Sequence, residues 1–269
     1  MSTPPSANAD APIGVFDSGI GGLSVLAALR VALPRERFVY FADSGHAPYG
    51  EKGGAFVQAR SLTVTEELLQ QHGIKALVVA CNTATAAAIG VLRERWPALP
   101  IIGVEPALKP ALLLSTTRRV GVMATRGTLE SARFAALMAG LQHEARFVLQ
   151  PCDGLAEAID HDNADAIRSL CAAHLKALGT FGHGTAQIDT LVLGCTHYPL
   201  AIDTLSELLP ENIELVHTGP AVARQCARVL RDAGLAHEGR EGAGQVEWRS
   251  SADVAVLRQA AQRWLGFGG

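Results

Sequence analysis

The sequence predicts an α/β chain in which one parallel-sheet unit is used twice, with a site assembled between the two halves. Three observations carry this. The apolar runs at 77–80 and 191–193 are of strand length and continuous, the pattern of strands covered on both faces, and each ends at a cysteine, Cys81 and Cys195, that leads into a helical stretch. The surroundings repeat too: Pro106-Ala107 stands 25 positions after Cys81 and Pro220-Ala221 stands 25 after Cys195, while the strand at 13–16 is answered at 120–123. Third, 48% of the residues are hydrophobic but only 5% aromatic. A core of Ala, Val and Leu suits helices laid on parallel strands.

Taken in order, residues 1–11, with Pro4 and Pro5, read as a flexible tail. Residues 13–16 form a first strand, and Asp17-Ser18-Gly19-Ile20-Gly21-Gly22 makes a turn into a helix over 23–33, ended by Pro34. This turn fits two roles: an anion cradle on helix N–H groups, or a tight turn with Asp17 or Ser18 capping the helix. It lacks the Lys-Ser/Thr of a P-loop and the third glycine of a dinucleotide fingerprint. A strand at 37–42 precedes a loop containing Pro48, Tyr49 and Gly50, of the kind that carries function. An amphipathic helix over 57–71 is closed by Gly73. The strand at 76–80 delivers Cys81, and an alanine-rich helix then runs to Pro97. A strand at 101–104 leads to Glu105-Pro106, the crossing into the second half.

That half opens with a strand at 119–123 and a helix over 129–139. A strand around 146–149 follows, then Cys152-Asp153-Gly154 and a helix carrying Glu157. A helix over 165–178 and a flexible linker at 179–184 come next. The strand at 190–193 delivers Cys195, Pro199 starts a helix that Pro210 ends, and 214–216 is a strand. A helix over 221–232, a glycine-rich loop at 239–244, an edge strand at 246–249 and a helix over 254–264 complete the chain.

The formal net charge of −3 and the lack of a basic tract argue against a nucleic-acid partner. No apolar stretch is long enough for a membrane span and no signal-peptide core is visible. Five cysteines without CxxC spacing fit free thiols in a reducing cytoplasm. Cys152, Cys171 and Cys226 read as small buried residues. Cys195 and His197 stand too close together for a zinc finger, and no second ligand pair has suitable spacing.

Two thiols at equivalent strand ends can do specific chemistry. A small carboxylic acid held between them meets one sulfur on each face. If one is thiolate and the other thiol, one removes a proton while the other supplies one opposite, which inverts a carbon centre. A helix N-terminus beside each sulfur favours thiolate there. Ser18, Asn82, Thr83 and Thr196 are short donors at the same strand and turn ends, and Asp17 and His197 are ionisable groups placed to tune the thiols. The bland alternative for His197 is a cap or core residue. A Cys-His hydrolase leaves Cys81 without a purpose. A pyridoxal enzyme would have only Lys52, Lys75, Lys109 and Lys176 for its imine. A non-catalytic amino-acid binding module needs no strand-end thiols.

Four segments, Asp17–Gly22, Pro48-Tyr49-Gly50, Cys81-Asn82-Thr83-Ala84 and Gly194-Cys195-Thr196-His197-Tyr198-Pro199-Leu200, resemble the glutamate racemase family in order and spacing, over roughly 12–266. The resemblance implies two pseudo-symmetric, doubly wound parallel-sheet domains of the aspartate/glutamate racemase type, here 12–104 with 218–266, and 105–217. It implies racemisation of glutamate for peptidoglycan, without pyridoxal phosphate, metal or nucleotide; a homodimer is compatible with it. It makes Cys81 and Cys195 the acid/base pair, Cys81 acting on the D-isomer and Cys195 on the L-isomer. Asp17 assists Cys81, and His197 assists Cys195 with Glu157 nearby. Asp17, Ser18, Tyr49, Gly50, Asn82, Thr83, Thr125, Thr196 and His197 hold the substrate. Aspartate, or decarboxylation of a related acid, stays open as an alternative on the same frame. Ala42, His46 and His217 depart from the family's usual pattern, with His217 standing where many relatives have Asp.

Overall fold

The computed structural model describes residues 8–237, 239 and 244–266. The tail at 1–7 and most of the glycine-rich loop at 239–244 lie outside the described residues. The first half runs β1 (Ile13–Asp17), α1 (Leu23–Ala32), β2 (Phe38–Ala42), α2 (Gly54–His72), β3 (Ala76–Val79), α3 (Asn82–Arg95) and β4 (Ile101–Gly103). The second runs α4 (Leu108–Leu114), β5 (Arg119–Ala124), α5 (Arg126–Leu129), α6 (Ala132–Ala139), β6 (Arg146–Pro151), α7 (Leu155–Asp160), α8 (Ala164–Leu178), β7 (Thr190–Leu193), α9 (Ile202–Leu208) and β8 (Glu214–His217). The chain then returns through α10 (Gly219–Asp232) to β9 (Val246–Ser250) and α11 (Val254–Leu265).

Two sheets result, with orders β4-β3-β1-β2-β9 and β6-β5-β7-β8, every pairing parallel. Read from opposite edges they match strand for strand: β4 answers β8, β3 answers β7, β1 answers β5 and β2 answers β6, with β9 an added edge. The strands that deliver the cysteines, β3 and β7, are buried along their whole length because helices cover both faces. In each sheet the order reverses beside the first strand of the unit, between β1 and β3 and between β5 and β7. Open α/β sheets hold ligands outside the strand C-termini at such a point.

One apolar core fills the space between the halves and joins residues of both, including Val15, Leu26, Ile159, Leu191 and Cys226. The outer face of the first sheet packs on α2 and α3, and that of the second on α4 and α6. α10 lies against α1. Among the described residues no helix is long and apolar enough to cross a membrane.

Some elements differ from the sequence expectation. The helix expected over 129–139 is two pieces, because Ser131 accepts a hydrogen bond from the Phe134 N–H (3.1 Å) and caps a new start. Helix α4 was hidden by Pro110, which reads as a breaker but occupies its first turn, where a missing N–H costs little. Neither Asp17 nor Ser18 caps α1, whose cap is Gly22 without a side-chain bond. After Cys195 the chain makes a short 3-10 turn (Tyr198–Ala201) before α9, so no α-helix begins directly at this thiol. The linker at 179–184 is held by a parallel bridge between Phe181 and Ile188. His217 ends β8 with Nδ1 buried and unpartnered, and burial lowers its basicity.

Candidate active site

β3 carries Cys81 to its C-terminal end, where the residue becomes the cap of α3: the Ala84 N–H donates to its sulfur at 3.4 Å. The thiol in turn meets Ser18 Oγ at 3.6 Å. Burial and the nearby Asp17 carboxylate push Cys81 up to about 12, outweighing the helix N–H and the serine. The expected helix-terminus activation is therefore present in geometry but loses to desolvation. Cys81 rests as a thiol.

β7 carries Cys195 to the equivalent position, and its partner is a ring. His197 Nδ1 lies 3.7 Å from the Cys195 sulfur, and Nε2 lies 3.0 Å from Asp160 Oδ1. Burial disfavours charge on this imidazole, but the Asp160 carboxylate and the contact with Cys195 raise it well above its ordinary value. Asp160 is held below the usual carboxylate range: its own burial works against this, and His197 and the Ile20 N–H prevail. Both neighbours favour the protonated form of His197, which spans a carboxylate and a sulfur.

Asp160 was not foreseen. Glu157, named in its place, is exposed at the cleft rim, while Asp160 stands one turn on, on the same side of α7, and reaches the ring. The readable signal was the i, i+3 spacing of the two acids; only packing decides which of them points inward.

The glycine-rich turn gains its reason here. A Cβ on Gly21 would sit 2.4 Å from His197 Nδ1, and one on Gly19 would sit 2.9 Å from Asp160 Oδ1. The turn is stripped of side chains so that it can lie against the His197–Asp160 pair of the other half. Asp17, at the end of β1, is fully buried one layer behind the cleft wall. It accepts from the Gly19 N–H (2.8 Å) and from Thr196 Oγ1 across the halves (3.0 Å). Burial raises its carboxyl.

Both sulfurs line one cleft of about 500 Å³, counting its open mouth. Ser18, Tyr49, Gly50, Asn82 and Thr83 line it from the first half, and Thr125, Thr196, His197 and Glu157 from the second. Thr83 and Thr125 close it with a 3.0 Å hydroxyl contact, and Gly50 packs so near Thr125 that a Cβ would come within 2.9 Å. Tyr49 presents its ring, since its hydroxyl donates to Asp43 Oδ2 (2.5 Å); Arg60 Nε donates to the same oxygen and Arg60 Nη2 to Asp43 Oδ1. Asn82 is 4% exposed, and neither its amide oxygen nor its nitrogen has a partner among the described residues. A buried amide left open at a cleft wall is what a polar ligand satisfies. Cys152, read from sequence as a small buried residue, is buried and also lines the cleft.

Residues 20–226 match the Asp/Glu/Hydantoin racemase family model. The chain belongs to this racemase family. A glutamate racemase of Ectopseudomonas mendocina is 47% identical over 258 residues, covering 95% of each chain. Among solved structures, a glutamate racemase isoform of Bacillus anthracis superposes with a TM-score of 0.81 at 30% identity, covering 96% of this chain and 94% of that one. The Escherichia coli glutamate racemase, solved with L-glutamate and the activator UDP-MurNAc-Ala, gives 0.76 at 32% identity, with 94% and 95% covered. The two parallel-sheet domains are those of glutamate racemase structures.

In this racemase frame the two cysteines have unlike company. Cys81 faces a hydroxyl and, behind it, a carboxylate; Cys195 faces the His197 imidazole, itself backed by a carboxylate.

Proposed function

We propose that the protein interconverts L- and D-glutamate without a cofactor, by a proton transfer between Cys81 and Cys195, and so supplies D-glutamate for peptidoglycan. The observation that carries the reading is the placement of two thiols, from equivalent strand ends of opposite halves, on one narrow cleft. One sulfur, as thiolate, takes the α-proton from its face of the substrate. The electron pair left on the α-carbon delocalises into the adjacent carboxylate. The other sulfur, as thiol, delivers its proton to the opposite face, and the two sulfurs end the turnover with their protonation exchanged.

The surrounding groups have separable tasks. His197, charged and anchored by Asp160, positions and partners Cys195; Ser18 and, through it, Asp17 partner Cys81. Asn82, Thr83, Thr125 and Thr196 offer short donors to the substrate's carboxylates, and Gly50 brings its backbone close. Since Cys81 rests as a thiol, it loses its proton only when a positive group, such as the substrate ammonium, comes beside it. The negative charge that develops on the substrate is met by fixed donors in a nearly water-free space.

The test is racemisation in heavy water. Purified protein with either glutamate isomer and no additive is expected to incorporate deuterium at the α-carbon of the product. Cys81→Ala and Cys195→Ala are each expected to lose roughly 10²–10⁴-fold in kcat, the usual worth of one acid/base group. Turnover within about tenfold of wild type in either variant rules out the two-thiol route, and a preference for aspartate in a parallel assay moves the substrate assignment.

A further inference from the structure

The cleft wall that Tyr49 and Gly50 supply belongs to a loop with little regular structure of its own. Between β2 and α2 the chain makes two short 3-10 turns, Ser44–His46 and Tyr49–Glu51, and neither has a side-chain cap bond. The first is held by the residue that follows β9: the Gly45 N–H donates to Ser251 Oγ (3.0 Å), and the Ser251 N–H to the Ala42 carbonyl (3.0 Å). The second, which lines the cleft, is tied to one buried carboxylate. Asp43 follows β2 directly, its N–H donates to the Asp17 carbonyl (2.9 Å), and its side chain has no exposed surface. Its Oδ2 accepts from the Tyr49 hydroxyl (2.5 Å) and from Arg60 Nε (2.9 Å). Its Oδ1 meets Arg60 Nη2 (2.8 Å) and His46 Nδ1 (3.0 Å), and the Ser251 side chain bonds the same carboxylate. Gly50 in turn meets the second half: besides its contact with Thr125, a Cβ on Gly127 would stand 3.1 Å from the Gly50 carbonyl oxygen.

We propose that Arg60, although it lies on α2 outside the cleft, is a positioning residue for the reaction: its two bonds fix the Asp43 carboxylate and, through it, the Tyr49 hydroxyl and the Gly50 backbone. The inference rests on the racemase reading of the cleft. A carboxylate without exposed surface needs its charge matched and its oxygens satisfied. Arg60 does both with a planar fork carried on a 19-residue helix, which is a rigid base. The His46 contact comes from the loop itself and moves with it, so it cannot place the loop against the rest of the fold. Without Arg60 the buried carboxylate is unmatched and turns toward water, and the Tyr49 hydroxyl loses its fixed acceptor. Tyr49 and Gly50 are neighbours in one turn and shift together. The substrate then loses part of its wall, and the contact of Gly50 with Thr125 across the halves loosens.

The experiment has two arms. In the kinetic arm, Arg60→Met is expected to lower kcat/KM for glutamate by roughly 10²-fold, the cost of about 1 Å of misplacement, with most of the loss in KM. Arg60→Lys keeps the charge without the two-bond geometry and is expected to fall between this variant and wild type. It serves both arms if Arg60→Met does not fold. A residue that acts through the tyrosine hydroxyl has no further effect once that hydroxyl is gone, so Arg60→Met in a Tyr49→Phe background is expected to cost less than about threefold more. Losses that multiply in full, or a lowered Tm with kcat/KM unchanged, overturn the proposal. In the second arm, crystal structures of wild type and Arg60→Met are expected to differ in the placement of Tyr49 and Gly50; a turn that stays in place also overturns it, and this arm needs no activity. Wild-type protein that fails to racemise glutamate would instead sink the assignment of function and leave the crystallographic arm to decide this point.

Discussion

His197 has two hydrogen-bonding edges, and what stands on them sets its charge. Asp160 on Nε2 raises the imidazole above its ordinary 6.5, and the ring in turn holds Asp160 below 3.8. A histidine raised on folding contributes stability that is complete below about 6.5 and is lost as pH rises through the folded value. A carboxylate depressed on folding contributes stability above about 3.8, lost as pH falls through its lowered value. The pair is therefore intact between those limits. Asp160→Asn is expected to lower the His197 pKa in an NMR titration and to reduce kcat by roughly 10²-fold. Glu157→Gln, changed at the rim, leaves the His197 titration where it was. The sequence could name His197, because it follows Cys195 directly at a strand end. It could not choose between Glu157 and Asp160, since both share one side of α7 and only the packing of the Ile20 backbone against Asp160 distinguishes them.

At the scale of elements, glycines with different physical duties separate function from stability. Gly21 lies where a methyl group would collide with His197 Nδ1. Gly21→Ala is expected to displace the ring and lower kcat/KM by roughly 10²-fold, the cost of about 1 Å of misplacement at a reacting group. Gly73 ends α2 in the left-handed region (φ 56°) with open space around it. Gly73→Ala is expected to lower stability by about 1 kcal/mol in a denaturant titration, with activity unaffected. Both glycines were visible in the sequence, but only the one at the helix end had a readable purpose. The turn at 17–22 looked like an anion cradle or a capped start because its true neighbour belongs to a segment more than a hundred residues away. The same limit explains α4 and the split of α5 from α6. Pro110 and Ser131 act within one turn of chain, below the length over which hydrophobic periodicity speaks. The buried strands were legible because all four residues of β3 and of β7 are apolar or small, with no alternation to misread.

At the scale of the molecule, the cleft that holds both sulfurs is walled by residues of both halves. We propose that two bodies, 12–104 with 218–266, and 105–217, move about the crossings after β4 and before α10 to admit the substrate. The radius of gyration measured by small-angle scattering is then expected to be larger for the free protein than with saturating glutamate; equal values would mean that entry needs no domain motion. The unlike partners of the two thiols, a serine on one and an imidazole ring on the other, have a kinetic signature of their own. Mirror-image amino acids have the same free energy, so their equilibrium constant is one and kcat/KM has to agree in both directions. Whatever advantage the ring gives one direction can therefore surface only as a larger kcat matched by a proportionally larger KM. A lopsided pair of flanks yields unequal turnover numbers and an invariant ratio.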